Sequence, residues 1–73
     1  MMIEIPKFRR IDGLPARYEA MTGDGARLVV LYDRRWDSWF WRVCRSGAIV
    51  VAGGAPDLHE AQERAISAWI AVR

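Results

Sequence analysis

The 73-residue sequence predicts an α+β domain, with a mostly antiparallel sheet of about four strands and one C-terminal α-helix packed on one face. Two observations lead to this prediction. Aromatic and β-branched residues alternate along the chain on both sides of Ser46-Gly47, as is typical of a β-hairpin. Asp57 then follows a Gly53-Gly54 break and precedes a run with apolar residues at helical spacing. Two further strand-like runs precede this hairpin, so the predicted order is four strands followed by a helix.

The hairpin around Ser46-Gly47 also predicts which side chains share a face. If these two residues form the loop, Arg45 lies opposite Ala48 and the pairing continues outward from there. One uniformly apolar face, interpreted as the core face, then carries Trp39, Trp41, Val43, Val50 and Ala52. The second face carries Phe40, Arg42, Ile49 and Val51. Because one terminal helix covers only one face, this second face is expected to form an interface.

The rest of the chain is expected to form a single domain, residues 1–73. Residues 16–22 and 26–33 predict a first hairpin around a Thr22–Gly25 turn, so that the sheet spans 16–54. Residues 1–14 predict either an edge strand, from the alternation of Ile3 and Ile5, or an arm. The alternative to an interface is that residues 1–14 fold back over the second face through Ile3, Ile5 and Phe8.

The predicted helix spans 57–72, with Asp57 as N-cap and Glu60 completing a capping box. Small apolar residues along one stripe would let the helix lie close to the sheet, with a tryptophan filling the gap at its far end. This stripe consists of Leu58, Ala61, Ala65, Ala68, Trp69 and Val72. Ile66 and Ile70 lie beside the stripe and widen the apolar arc.

Catalytic chemistry is not predicted. His59 is the only histidine and Cys44 the only cysteine, so neither a catalytic triad nor a zinc site is expected, and no cofactor is implied. No phosphate-binding glycine motif opens a helix. The absence of an apolar run of about 18 residues and of a signal peptide favours a cytoplasmic protein without membrane contact.

Arginine and aromatic side chains instead suggest a binding protein. A protein partner is expected to contact a set of residues from the second face, the 34–36 loop and the helix edge: Phe40, Arg42, Ile49, Val51, Arg34, Arg35, Trp36, Ile66 and Ile70. The alternative is a small nucleic-acid-binding module that uses Lys7, Arg9, Arg10, Arg34 and Arg35. A net charge of +2 makes a weak electrostatic footprint for that alternative. A homodimer that buries the second face is a further expectation for so short a chain.

The second half of the chain resembles a pattern in small phage and bacterial ββα-type proteins. The matching positions are Trp39, Trp41, Val43, Gly47, Gly53, Glu60, Ala61 and Ala65. The chain is also similar in kind to the anti-CRISPR proteins of phages, which share no common motif. That resemblance implies a phage-encoded, non-enzymatic inhibitor in the host cytoplasm, which blocks a CRISPR effector subunit by occupying its surface.

Overall fold

Five strands and one helix make up the computed structural model, which describes residues 4–73. The strands are β1 (Arg9–Ile11), β2 (Arg17–Met21), β3 (Arg27–Asp33), β4 (Ser38–Arg45) and β5 (Ala48–Ala55). They form one antiparallel sheet in chain order. The helix α1 (Leu58–Val72) packs on one face, against β3, β4 and β5. The predicted α+β class and C-terminal helix are confirmed, with five strands where about four were expected.

The additional strand is β1, and it does not lie where the sequence suggested. Ile5 is exposed and outside any strand, and Ile3 lies outside the described residues. β1 instead falls on Arg9–Ile11, where Arg9 pairs with Glu19 and Ile11 with Arg17. Its three residues have no apolar alternation of their own. The strand exists because β2 offers an edge to pair with, which local sequence does not reveal.

The hairpin of β4 and β5 turns at Ser46 and Gly47, as predicted. Their φ angles are 51° and 80°, so both residues are left-handed, as a type I′ turn requires. Arg45 lies opposite Ala48 and Cys44 opposite Ile49, in the predicted register.

Beyond Ile49 the predicted register is wrong, because β5 contains a β-bulge. Val43 pairs with Val51 and Trp41 with Gly53, where Val50 and Ala52 were expected. Val50 is therefore the extra residue of the bulge, and every later residue of β5 moves by one position. Since side chains alternate between the two faces, this shift exchanges their sides. Val51 lies on the helix side, and Val50 is 48% exposed.

The core lies between α1 and the sheet. Trp39, Trp41 and Val43 pack there as predicted. The helix contributes Ala61, Ala65 and Trp69 as its buried residues, with Leu58 and Ala68 partly buried beside them. Alanines at the contact allow close approach of helix and sheet. Val72 was predicted to belong to this stripe but is exposed, because it is the last residue of the helix.

The two ends of α1 are fixed by carboxylates. The side chain of Asp57 accepts a hydrogen bond of 2.8 Å from the Glu60 backbone N–H, which confirms the predicted N-cap. In a capping box the Glu60 carboxylate would accept a hydrogen bond from the Asp57 backbone N–H. Here it accepts one of 2.9 Å from the Arg64 guanidinium group instead. At the other end, the Trp69 indole N–H donates to Asp24 at 3.1 Å.

Asp24 therefore joins the β2–β3 turn to the helix C-terminus. Its carboxylate also accepts from the Thr22 hydroxyl, and it forms an ion pair of 2.8 Å with Arg45. The hydrogen bond from Thr22 and then the one from Arg45 hold the pKa of Asp24 far below its usual range. Arg73 lies with its guanidinium 5.2 Å from the centre of the Trp69 ring.

A Gly53→Ala substitution is expected to lower the free energy of unfolding by about 1–2 kcal/mol, because it overpacks the helix side. A Cβ at this position would lie 2.6 Å from Cζ2 of Trp41, whose ring covers the glycine. The matched control is Gly54→Ala on the other face, where a Cβ would meet its nearest atom, on Phe40, at an ordinary 3.7 Å. Chemical denaturation of both variants checks the prediction. Equal stabilities would contradict the bulged register.

Candidate binding face

The face of the sheet opposite α1, here called the open face, is defined by three rows of side chains that lie directly across the strands from one another. The first row is Ile11, Arg17, Leu31, Phe40 and Gly54. The middle row is Arg9, Glu19, Val29, Arg42 and Ala52. The third row is Met21, Arg27, Cys44 and Ile49. The predicted placement of Phe40, Arg42 and Ile49 on one face is confirmed.

The arm that was expected to cover this face does not reach it through Phe8. Phe8 is partly buried and packs against the core cluster, which lies on the helix side. Ile5 is 56% exposed. The apolar side chains of the open face therefore have the arginines of the same face as neighbours. Val29, at the centre, is nevertheless 1% exposed, because the long side chains beside it cover it.

Positive charge predominates on the open face. Four arginines, at positions 9, 17, 27 and 42, stand against one carboxylate, Glu19. Glu19 pairs with Arg17 at 2.7 Å and approaches Arg27 at 3.8 Å. One carboxylate is thus shared between two guanidinium groups, and the face keeps a net positive charge.

Two arginines of the open face, Arg9 and Arg42, take part in none of the ion pairs formed among residues 4–73. Arg9 is exposed, whereas Arg42 is half-buried. The Nε atom of Arg42 is inaccessible and has no hydrogen-bond partner among those residues. Most buried donors in folded proteins are paired, so this donor, like Trp41 Nε1 on the helix side, is an exception.

Arg42 stands between two shallow depressions of the open face. One, of about 390 Å³, lies toward the Ser46-Gly47 turn and is lined by Arg17, Arg27, Met21 and Ile49 among others. The second, of about 580 Å³, lies toward the β3–β4 loop and is lined by Trp36, Phe40, Leu31 and Arg35 among others. The charged residues that line the first are all arginines, whereas the second is lined mainly by aromatic and aliphatic residues. A ligand that spans both would need negative charge at one end and apolar groups at the other.

Trp36 is the most exposed aromatic residue of this region, at 71%, and Phe40 is at 36%. Arg35, beside Trp36, is engaged within the loop: its guanidinium donates to Asp33 at 3.1 Å. This hydrogen bond lowers the pKa of Asp33 and raises that of Arg35. Within the described range 4–73, Arg35 therefore has an ion-pair partner at this depression and Arg42 has none.

The structure brings together five of the nine residues predicted for a protein partner: Trp36, Phe40, Arg42, Ile49 and Arg35. Arg34 is nearby and lines a neighbouring depression with Leu14 and Leu31. Val51, Ile66 and Ile70 do not belong to this surface. The bulge turns Val51 to the helix side, and the two isoleucines lie on α1, on the opposite side of the sheet.

The residues predicted for nucleic acid do not form one patch. Lys7 and Arg9 line a depression at the β1 edge, together with Glu4 and Glu19. Arg10 pairs with Tyr18 and therefore faces the helix side. Arg34 and Arg35 belong to the β3–β4 loop.

Arg17 and Arg27 are open-face residues that were not predicted. The signal that could have found them is the turn at residues 23–25, since with Thr22 paired to Ala26 the next pair is Met21 opposite Arg27. Every second residue of β2 and β3 then falls on the same face as Arg27. The basic character of the face becomes visible only when this hairpin and the hairpin of β4 and β5 are aligned through the pairing of β3 with β4.

Other kinds of site have no counterpart in residues 4–73. No three side chains of histidine, cysteine, aspartate or glutamate in this range are grouped to hold a metal ion. No helix in it is long and apolar enough to cross a membrane. His59 lies on the surface of α1 with its Nε2 atom 2.8 Å from Glu63.

Comparison with known proteins yields no match: no family model, no curated protein and no solved structure corresponds to this chain.

Proposed function

We propose that this protein is a non-enzymatic binding protein that docks its open face on an acidic and partly apolar surface of another protein. The observation that carries the proposal is Arg42, a half-buried arginine in the middle row of the open face that has no ion-pair partner among residues 4–73. Arginine and aromatic residues side by side are typical of interface centres. The exposed Trp36 and Phe40 supply the aromatic part.

The size of the protein is sufficient for such an interface. Its accessible surface is 5142 Å². A standard interface takes about 800 Å² from each partner, which is roughly a sixth of this surface. One face of a five-stranded sheet can supply that area without the helix.

The partner that we propose is a subunit of a CRISPR effector, with the protein acting as a phage-encoded inhibitor of the anti-CRISPR type. The charge of the open face limits where it could bind. The nucleic-acid channel of such effectors is positively charged and would repel four arginines. Inhibition would then result from binding to an acidic patch of the effector outside its nucleic-acid channel, and bound guide and target strands would stay in place.

The Arg42→Glu variant tests this proposal. It should weaken binding by about 2 kcal/mol, roughly thirtyfold, because it removes the central donor and places like charge against an acidic partner. The matched control is Arg10→Glu, the same substitution at an exposed position on the helix side. The assay is target cleavage by purified candidate effectors, followed by co-purification of the inhibited effector with each variant.

Loss of inhibition with Arg42→Glu and not with Arg10→Glu is the expected result. Inhibition that survives Arg42→Glu would remove the open face as the binding surface. If no effector is inhibited, the anti-CRISPR proposal fails.

Single-stranded nucleic acid is the second candidate ligand, favoured by the four arginines and one carboxylate of the open face together with Trp36 and Phe40. Phosphates would pair with the arginines and bases would stack on the aromatic rings. Fluorescence anisotropy with labelled oligonucleotides at low salt tests it. Binding that weakens steeply with salt and is lost in Arg42→Glu would support this function; the absence of binding at low salt would eliminate it.

A further inference from the structure

The two edges of the sheet differ in how they are protected against pairing with another strand. An edge strand presents unpaired backbone N–H and C=O groups, and natural proteins shield such edges with short length, charge, proline or a β-bulge. β1 follows this rule, because it is three residues long and carries Arg9 and Arg10. Its edge is a poor template for a further strand.

β5 is less well shielded than β1. It is eight residues long, it contains neither charge nor proline, and among residues 4–73 it pairs with β4 alone. The uncharged stretch extends from Ser46 to Pro56. Ile49 and Val50 in this strand are 57% and 48% exposed. Two features interrupt the edge: the bulge at Val50, and a hydrogen bond of 2.6 Å from Arg64 to the Gly54 carbonyl oxygen.

We infer that β5 pairs antiparallel with β5 of a second copy of this chain, so that two five-stranded sheets join into one. The strand is complementary to itself in this direction. Its first half carries aliphatic side chains, Ile49 and Val50, and its second half carries glycines, Gly53 and Gly54. An antiparallel alignment about a two-fold axis through Ala52 keeps the faces of the two copies matched and, with Val50 as the extra residue of its bulge, places each aliphatic half beside the glycine half of the other copy.

The same large-to-small pairing already holds β5 to β4 within the chain, where Trp41 lies opposite Gly53 and Phe40 opposite Gly54. Because the strand is uncharged, the two-fold pairing brings no like charges together. A foreign peptide would have to supply both halves of this complementarity, whereas a second copy supplies them by symmetry. The dimer would place two open faces side by side on one continuous sheet. It does not depend on what the open face binds.

The experiment measures mass in solution and backbone protection together. The apparent mass of the full chain, measured by sedimentation equilibrium, should rise between micromolar and millimolar concentration and approach twice the chain mass of 8.4 kDa. Hydrogen–deuterium exchange at the same concentrations should show protection that rises with concentration in β5. Val50→Lys should keep the protein monomeric, because a lysine on an edge strand blocks pairing. The matched control is Leu14→Lys, at a loop position that is 91% exposed, and it should still dimerise.

A protein that remains monomeric at millimolar concentration would overturn the inference. So would a dimer that Val50→Lys leaves intact, or protection that rises in β1 or the centre of the sheet and not in β5. If Val50→Lys fails to fold, as judged by circular dichroism, the exchange pattern of the unmodified protein decides alone. A monomer whose β5 becomes protected only when a different protein is added would also contradict self-pairing.

Discussion

Replacing Trp69 with alanine should lower the free energy of unfolding by about 3–5 kcal/mol, the usual cost of removing a buried tryptophan side chain. Trp69 is 3% exposed and fills the space between the end of α1 and the sheet, where the other buried helix residues are alanines. The substitution also removes the indole N–H that donates to Asp24. Since small domains have total stabilities of about 5–15 kcal/mol, the variant should lose a large part of its stability.

The matched control for this prediction is Trp36→Ala. Trp36 lies in the β3–β4 loop and is 71% exposed, so its removal leaves no cavity in the core. Urea denaturation followed by circular dichroism compares the two variants without relying on tryptophan fluorescence. A Trp69→Ala protein with the stability of Trp36→Ala would show that the helix does not pack through Trp69.

The elements that could be predicted from the sequence are those with local signals. Ser46-Gly47 can adopt the two left-handed conformations of a type I′ turn, and Asp57 can cap the helix that follows Gly53-Gly54. Each signal lies within a few residues of the structure that it specifies. The bounds of the helix and the strand pairing next to the Ser46-Gly47 turn were therefore predictable.

The bulge at Val50 was not predictable in this way. In the run from Ala48 to Ala52 every residue is small or aliphatic, so no position is marked as the extra one. The packing above the sheet offers a physical reason for the choice: the shift brings Gly53 under the Trp41 ring, where a side chain would collide. That requirement comes from a residue twelve positions earlier in the chain. It moves Val51 out of the predicted site, and local pattern cannot show it.

The basic character of the open face was hidden for a similar reason. Arg17, Arg27 and Arg42 come from three strands, and only the pairing of those strands places them around Val29. In the sequence they are isolated arginines among mixed residues. Two arginine clusters stand out in the sequence. Arg9-Arg10 is divided between the two faces, and in Arg34-Arg35 the second arginine forms an ion pair within its loop.

One face of the sheet packs against α1 and the other is open, and the bulge decides which residues of β5 belong to each. Ile49→Asp and Val51→Asp place the same charge two residues apart. Ile49 is 57% exposed on the open face, so its variant should remain folded with little change in stability. Val51 lies opposite Val43 and packs against the core, so an aspartate there should cost about 2–3 kcal/mol.

Thermal unfolding of these two variants, followed by circular dichroism, is the most direct test. The predicted result is a folded Ile49→Asp protein with a near-normal Tm beside a Val51→Asp protein that is strongly destabilised. If both variants unfold, the open face is internal core and cannot be the binding surface. If Val51→Asp keeps its Tm as Ile49→Asp does, the bulge is absent and both residues lie on the open face.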